Sequence, residues 1–314
     1  MLTVYPSSDR APDQLSKAVW IDLLAPTEEE AEAVRKATGL RVPSREEISA
    51  IEASSRLQRV GPALYLSTSM LVMGERPHLS PVGFILAEDR LITIRFDKFG
   101  SFDTAAENAE ADQDITALGV FTCVFESIID RLADALEAGA AELDRVSQSI
   151  FHQKLRKRGA PKNELFQRSV LAKVGRLGEG LSQIRDVLLG VGRIVPFVLE
   201  VRKAAAPDPI AARLQAVRHD IVSLNDYEGH LANKVQFLLD AVLGFITISQ
   251  NDIFKVMTVW SLVGIPPTLM AGIYGMNFKI MPELQWSLGY PFGLLVIVIS
   301  ALIPLAWFKW KGWV

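Results

Sequence analysis

Short apolar runs alternate with polar, helix-starting segments over roughly the first 115 residues. Runs rich in β-branched and aromatic residues at 19–24, 64–72, 82–86 and 91–96 predict strands, and the last two predict a hairpin. Thr27 with Glu30, and Ser44 with Glu47, have the spacing of a capping box and predict two helices, the first ending at Gly39. A third helix is expected at 102–112. We therefore predict a compact α/β domain over 1–115, with a mixed or antiparallel sheet because its connections are short.

From about residue 116 the apolar positions recur every three or four residues, which predicts long helices. The first continues to about 150, and the second covers about 163–200, where Gly190, Gly192 and Pro196 are expected to break it early. Further breaks are expected at 159–161 and 204–209. A third helix is predicted from Asp208 to about Met276. We interpret 116–252 as a coiled-coil-like helical stalk.

The third helix carries a long apolar stripe that needs packing partners. A single helix of nearly seventy residues is stable only if its stripe packs along other helices. The two preceding helices, or further copies of the chain, are the candidate partners. Glu228 is the exception within the stripe, whose apolar members are Ile210, Leu214, Val217, Ile221, Leu224, Leu231, Val235, Leu238 and Val242.

Two apolar runs near the end of the sequence, 253–276 and 291–308, are each long enough to cross a bilayer. Lys255 is the one charge within them, and the fourteen residues 277–290 predict a tight membrane hairpin. Lysines flank both runs on the side away from the loop, including the basic tail 309–314, and no apolar signal-peptide core precedes the first domain. We expect a multi-pass inner (plasma) membrane protein with both termini in the cytoplasm.

Composition narrows the function. A net charge of −3 gives no reason to expect a nucleic-acid partner, and the single Cys123 lies among apolar residues, which favours a packing role. The four histidines lack metal-ligand spacing, and no phosphate loop or nucleophile elbow is present, so an enzyme is not expected. Acidic residues dominate 103–144 and basic residues dominate 154–203. These faces either pair across a helix bundle or gather cations and contact anionic headgroups.

One face of the first apolar run combines small, polar and apolar residues. Two spans cannot enclose a pore, so ion conduction would need a symmetric oligomer with this helix at its axis. The face is equally typical of close helix packing in lipid. Stepping back from Asn277 by three or four residues, and then by whole turns, gives Gly272, Ile273, Thr268, Ile265, Ser261, Met257, Thr258, Phe254, Asn251 and Asp240.

The loop after the first run begins Gly275-Met276-Asn277, and Asn277 is its most telling residue. Magnesium sheds its waters reluctantly, and a ring of carboxamide oxygens accepts hydrogen bonds from a hydrated ion without holding it too tightly for conduction. Gly275 permits a close turn of the backbone, and Met276 packs it.

The stretch 274–284, Tyr-Gly-Met-Asn-Phe-Lys-Ile-Met-Pro-Glu-Leu, resembles the signature of the CorA family of magnesium and divalent-cation transporters. The resemblance is close over 240–314 and looser before that. It implies an α+β membrane protein: a homopentamer in which an N-terminal α/β cytoplasmic domain and a funnel of long helices lead to two C-terminal transmembrane helices. Family pore positions correspond here to Asn277, Thr268, Met257 and Asp240, with Phe254 and Asn251 also facing the pore.

The resemblance also implies influx of Mg²⁺, with Co²⁺ and Ni²⁺ as further substrates, and sensing of intracellular Mg²⁺ between cytoplasmic domains. Asp220 and Asp89 are our candidate ligands for that regulatory ion. Lys279 replaces a residue that is often acidic in the family, which leaves Glu283 as the loop carboxylate. The alternatives are a zinc transporter of the related branch and a membrane-anchored coiled-coil interaction protein.

Overall fold

The structure is a computed structural model, and it describes residues 1–5, 15–50, 56–72, 74, 77–111, 116–152, 162–201, 209–276, 281–282 and 286–313. The chain divides into two compact units, Met1–Leu239 and Asp240–Val314. Among the described residues, the first unit contains a sheet, three short helices, two long helices and the first part of a third long helix. The second contains the apolar helices.

The first unit is built on a six-stranded sheet with the order β1-β2-β6-β5-β4-β3. Its strands are β1 (Leu2–Tyr5), β2 (Trp20–Leu24), β3 (Leu57–Val60), β4 (Ala63–Val72), β5 (His78–Leu86) and β6 (Leu91–Arg95). Neighbouring strands are antiparallel except β2 and β6, which are parallel. The predicted mixed sheet and the β5–β6 hairpin are confirmed, whereas β1 and β3 were not predicted.

Short helices flank the sheet where the capping residues place them. They are α1 (Glu28–Thr38), α2 (Arg45–Ile48) and α3 (Gly100–Ala111). Thr27 and Glu30 make both hydrogen bonds of a capping box, as do Ser44 and Glu47. Gly39 ends α1 in the left-handed conformation (φ 73°), which a residue without a Cβ adopts at little cost.

A buried ion pair joins the parallel strands β2 and β6. The Arg95 guanidinium donates to Asp22 Oδ2 from Nη2 at 2.8 Å and from Nε at 3.0 Å. Thr93 Oγ1 donates to Asp22 Oδ1 at 2.6 Å and accepts from Trp20 Nε1 at 3.0 Å. The carboxylate therefore keeps its charge partner and its hydrogen bonds inside the core.

Three long helices follow, α4 (Ala117–His152), α5 (Lys162–Val201) and α6 (Pro209–Tyr274). The expected early break in the second is wrong, because α5 continues through Gly190, Gly192 and Pro196. Packing offsets the low helix propensity of these residues: Gly190 lies against Thr68 of β4 so closely that a Cβ would overlap the Thr68 hydroxyl. The breaks expected at 159–161 and 204–208 lie outside the described residues.

The apolar stripe of α6 is buried, and α5 packs antiparallel against it in a seven-residue register. A Cβ at Gly192 would lie 3.3 Å from Ile221, and one at Gly178 would lie 3.3 Å from Val235. Midway between these contacts the buried Glu228 carboxylate lies 3.8 Å from the Arg185 guanidinium. The three contacts fall seven residues apart on both helices, as in a coiled coil.

Ion pairs connect the acidic helix α4 to its neighbours. Glu142 pairs with Lys173 of α5, Glu126 with Arg213 of α6 at 2.5 Å, and Asp144 with Lys234 of α6 at 2.6 Å. Part of the segregated charge therefore pairs across the bundle.

Two of the described helices are long and apolar enough to cross a membrane, α6 and α7 (Gly289–Trp310). Because α6 runs unbroken from Pro209 to Tyr274, one helix contributes residues to both compact units. The continuous third helix predicted from the sequence is present.

Candidate ion-conducting face

An open groove of about 650 Å³ follows one face of the apolar part of α6. It contains Ser261, Ile265, Thr268, Gly272 and Ile273, all predicted from the sequence to share a pore-facing side. The sequence argument did not place its other members on this face; they are Trp260, Gly264, Leu269 and Met276, the last of which it assigned to the loop. Their spacing of three and four residues was the signal that would have found Gly264, Leu269 and Met276.

Threonine hydroxyl groups along this face donate hydrogen bonds to backbone carbonyls of the same helix. Thr268 Oγ1 donates to the Gly264 carbonyl at 2.9 Å, and Thr258 Oγ1 donates to the Phe254 carbonyl at 2.8 Å. Each threonine therefore has its donor satisfied and turns an oxygen with free lone pairs outward. Such an oxygen is a weak acceptor for a hydrated cation rather than a strong ligand.

Two large apolar side chains predicted to face the pore are exposed in the single chain. Phe254 is 65% exposed and Met257 is 60% exposed. Asn251 and Asp240 are also exposed on α6, and Asp240 takes part in a polar interaction. Large apolar side chains on a helix that enters lipid need cover from lipid or from another protein surface.

The predicted selectivity loop begins where α6 ends. Gly275 donates its amide to the Ala271 carbonyl at 2.9 Å, and Met276 donates to the Ile273 carbonyl at 3.2 Å, which tightens the last turn. A Cβ at Gly275 would lie 3.2 Å from that same Ala271 oxygen. Asn277 and Glu283 lie outside the described residues, so their predicted roles rest on the sequence.

Asp220 belongs to an acidic patch around Asp130 that includes residues of α4 and α6. Burial raises the pKa of Asp130, and the negative charges of Glu126, Asp134 and Asp220 raise it further. Like charges held together in this way are a place where a cation is favoured. The acid-rich composition of 103–144 indicated a surplus of negative charge, but it did not show which of these carboxylates interacts with Asp220.

The other candidate regulatory ligand, Asp89, has a local partner. Arg90 donates to Asp89 Oδ2 from Nη2 at 2.5 Å and from Nε at 3.0 Å, and this pairing lowers the pKa of Asp89. Over the described ranges, no group of three or more His, Cys, Asp or Glu residues is arranged to hold a metal ion within one chain. Asp220 and Asp89 are not brought together in the described contacts.

Comparison with known proteins gives a consistent result over nearly the whole chain. A family model described as "CorA-like Mg2+ transporter protein" matches residues 16–310. The magnesium transport protein CorA of Haemophilus ducreyi is 32% identical over 309 residues, covering 97% of this chain and 95% of the relative. The CorA protein of Escherichia coli K12 is 34% identical over 305 residues, covering 95% and 93%.

Solved structures show the same fold. The complete CorA magnesium transporter of Methanocaldococcus jannaschii matches with a TM-score of 0.75 at 20% identity, covering 94% of this chain and 91% of that one. The ZntB cytoplasmic domain of Vibrio parahaemolyticus matches with a TM-score of 0.54 at 10% identity, covering 73% and 87%. The fold alone therefore does not separate the magnesium branch from this relative. The chain belongs to the family of CorA-like Mg²⁺ transporter proteins.

Proposed function

We propose that copies of this chain assemble into a symmetric oligomer, a homopentamer by resemblance, that carries Mg²⁺ across the inner membrane. The observation that carries the proposal is the groove-bearing face of α6. It lies on a helix long enough to span a bilayer, mixes weak oxygen acceptors with small residues, and ends at Met276, next to Asn277. Close helix packing in lipid and a hydrated axis both favour such a mixture, and the Gly275-Met276-Asn277 sequence at its end favours the hydrated axis.

Asn277 is the proposed selectivity residue. Its carboxamide oxygen accepts hydrogen bonds from the waters of a hydrated Mg²⁺ and adds no fixed charge, so the ion binds and leaves again. Glu283 would add the loop's negative charge. Co²⁺ and Ni²⁺ have the same charge and also bind water as divalent ions, so the same ring would admit them.

The path continues along α6 past Thr268 and Ser261 to Met257 and Phe254. Their exposed apolar side chains would meet around the axis of an oligomer and narrow it, and an apolar constriction stops ions by excluding water. Asn251 and Asp240 would form the polar exit. In this proposal both chain ends lie in the cytoplasm.

Intracellular Mg²⁺ is the proposed regulatory ligand. The proposed site combines carboxylates from neighbouring copies. The acidic patch around Asp130, which includes Asp220, is a suitable half-site because its like charges already raise the pKa of Asp130. Binding would neutralise repelling carboxylates and hold the copies together, and loss of the ion would loosen them and widen the constriction.

The test is Mg²⁺ influx into liposomes loaded with a magnesium-sensitive dye. We expect influx with the wild type, none with Asn277→Ala, and wild-type influx with Asn233→Ala, which removes an exposed asparagine of α6 far from the loop. All three proteins should elute as the same oligomer, which separates loss of selectivity from loss of assembly.

Other outcomes select other functions. Zinc influx driven by a pH gradient, without magnesium influx, would assign the chain to the zinc branch. No influx of any ion by correctly inserted wild type would favour a membrane-anchored interaction protein.

A further inference from the structure

A second groove lies between the two apolar helices within the second unit. It has a volume of about 420 Å³, within the range of ligand pockets. Residues of α6 form one wall, and Leu305 of α7 with the following Trp313 forms the other. The lining is apolar throughout and consists of Val256, Val259, Trp260, Val263, Leu305 and Trp313.

At one end of the groove, a folded-back segment after α7 places Trp313 in the wall. Gly312 adopts the left-handed conformation (φ 70°), and the Trp313 amide donates to the Phe308 carbonyl at 3.0 Å. The rings of Trp313 and Phe308 stack with their centroids 5.5 Å apart, and Phe308 is buried. Trp313 is therefore held in place as part of the wall by its own turn.

Two lysines lie at this same end of the groove. Lys255 lies four residues, about one turn, before Val259, and Lys309 lies four residues after Leu305. Since residues four apart share a helix face and the helices form a hairpin, both lysines extend the groove's lining toward the same membrane surface. Both are exposed.

One acidic group opposes this positive charge. Asp252 Oδ1 lies 3.4 Å from Lys255 Nζ. An exposed ion pair at this distance is weak, and lysine's long side chain readily reorients toward a stronger anion. Lys311 belongs to a different surface, because its ammonium lies 4.8 Å from the Trp307 ring, which is outside the groove.

We propose that this groove is a binding site for an anionic phospholipid, with one acyl chain against Val259 and Trp260 and the phosphate between Lys255 and Lys309. An apolar channel that ends at two cations matches the two parts of such a lipid, and indole and lysine side chains are typical of headgroup depth. A second copy of the chain would match the apolar lining but not the two lysines, Lys255 and Lys309, at the end of the groove. The proposal rests on the membrane placement in the proposed function, not on ion conduction.

The experiment uses the full chain in vesicles of fixed phosphatidylglycerol and phosphatidylcholine content, in which only the brominated lipid changes. Brominated acyl chains quench nearby tryptophans, so quenching reports which lipid contacts Trp260. We expect brominated phosphatidylglycerol to quench more than brominated phosphatidylcholine at the same fraction. Trp260→Phe should remove the part of this difference that Trp260 contributes, and Val259→Phe, which adds no indole, should reduce the difference by filling the groove.

Charge variants test the headgroup contact. Lys255→Gln and Lys309→Gln should each lower the preference for phosphatidylglycerol about fivefold, the effect of one basic residue at a membrane surface. Lys311→Gln is the matched control and should keep the preference.

Equal quenching by both lipids in the wild type would overturn the proposal, as would an equal loss in Lys311→Gln. Shielding of Trp260 from both lipids would assign the groove to a second copy instead. Magnesium influx measured on the same vesicles separates the two proposals, because lipid preference without influx would contradict only the ion path.

Discussion

Asp22 and Arg95 form a buried ion pair that links strands β2 and β6 of the sheet. Both are buried, and the pair makes three hydrogen bonds between adjacent parallel strands. The Arg95 guanidinium lies 5.1 Å from the Phe102 ring of α3. The pair therefore joins three elements. The pair contributes little net stability. Removing one partner is nevertheless costly, because it would leave a buried charge uncompensated.

Asp22→Ala should lower the stability of the first unit by about 3 to 5 kcal/mol, because Arg95 would stay buried without its carboxylate. In thermal unfolding followed by circular dichroism, a unit of this size should lose roughly 10 °C. Asp89→Ala is the control, since it removes an exposed carboxylate from Arg90 and should change the midpoint little. Equal shifts in the two variants would contradict this account.

Glu228 gives a pH dependence with a defined sign. Burial raises the pKa of its carboxyl, and Arg185 offsets this only in part. The folded state therefore binds the proton more tightly than the unfolded state, and stability falls as the pH rises from about 4.3 through the raised folded-state pKa. Glu228→Gln lacks this titrating group, so its stability relative to the wild type should increase as the pH rises.

The measurement is the difference in unfolding midpoint between Glu228→Gln and the wild type from pH 4 to pH 8. The difference should grow with pH and then level off. Asp226→Asn, an exposed neutralisation two residues earlier on α6, should give a flat difference. A flat profile for Glu228→Gln would show that its carboxyl titrates normally.

At the scale of elements, sequence signals were predictive where an element is stabilised by contacts between residues close together in the chain. The capping boxes at Thr27 and Ser44 fix the starts of α1 and α2 because their hydrogen bonds span three residues. Strand β1 escaped prediction because its four residues are stabilised by pairing with β2, some twenty residues away. The continuity of α5 was not predicted for the same reason, because contacts with β4 and α6 offset the low helix propensity of its glycines and Pro196.

Two glycines of α5 test that explanation as a matched pair. Gly190→Ala should destabilise the first unit by about 1 to 3 kcal/mol, because the new Cβ would overlap the Thr68 hydroxyl. Gly180→Ala meets no atom within 4 Å and should stabilise by about 0.5 to 1 kcal/mol through helix propensity. Urea unfolding midpoints measure both, and a stabilising Gly190→Ala would contradict the packing of α5 on β4.

For the whole molecule, the sequence predicted the face of α6 better than the regulatory ligands. The face follows from helix spacing alone, counted from one residue, Asn277, and five of the predicted positions lie together in one groove. Regulatory ligands depend on which distant carboxylates approach one another. The interaction of Asp220 on α6 with Asp130 on α4 could therefore not be predicted from the sequence.

Regulation by Mg²⁺ predicts a change in the soluble unit. Millimolar Mg²⁺ should slow limited proteolysis of the wild-type oligomer, because a bound cation would offset repulsion between the carboxylates around Asp130. The paired change Asp220→Asn with Asp130→Asn should remove most of this protection, while Asp226→Asn should keep it. Protection by Mg²⁺ in the double variant equal to that in the wild type would place the regulatory ion elsewhere.

The central claim is that one face of α6 lines a water-filled ion path, and cysteine accessibility tests it most directly. In a Cys123→Ser background, Thr268→Cys places a thiol on the proposed path, whereas Val263→Cys places one in the groove facing α7. A charged, water-soluble thiol reagent should block Mg²⁺ influx into liposomes through Thr268→Cys and leave Val263→Cys unaffected. Equal block of both variants, or rapid influx through a fully modified Thr268→Cys protein, would contradict the account.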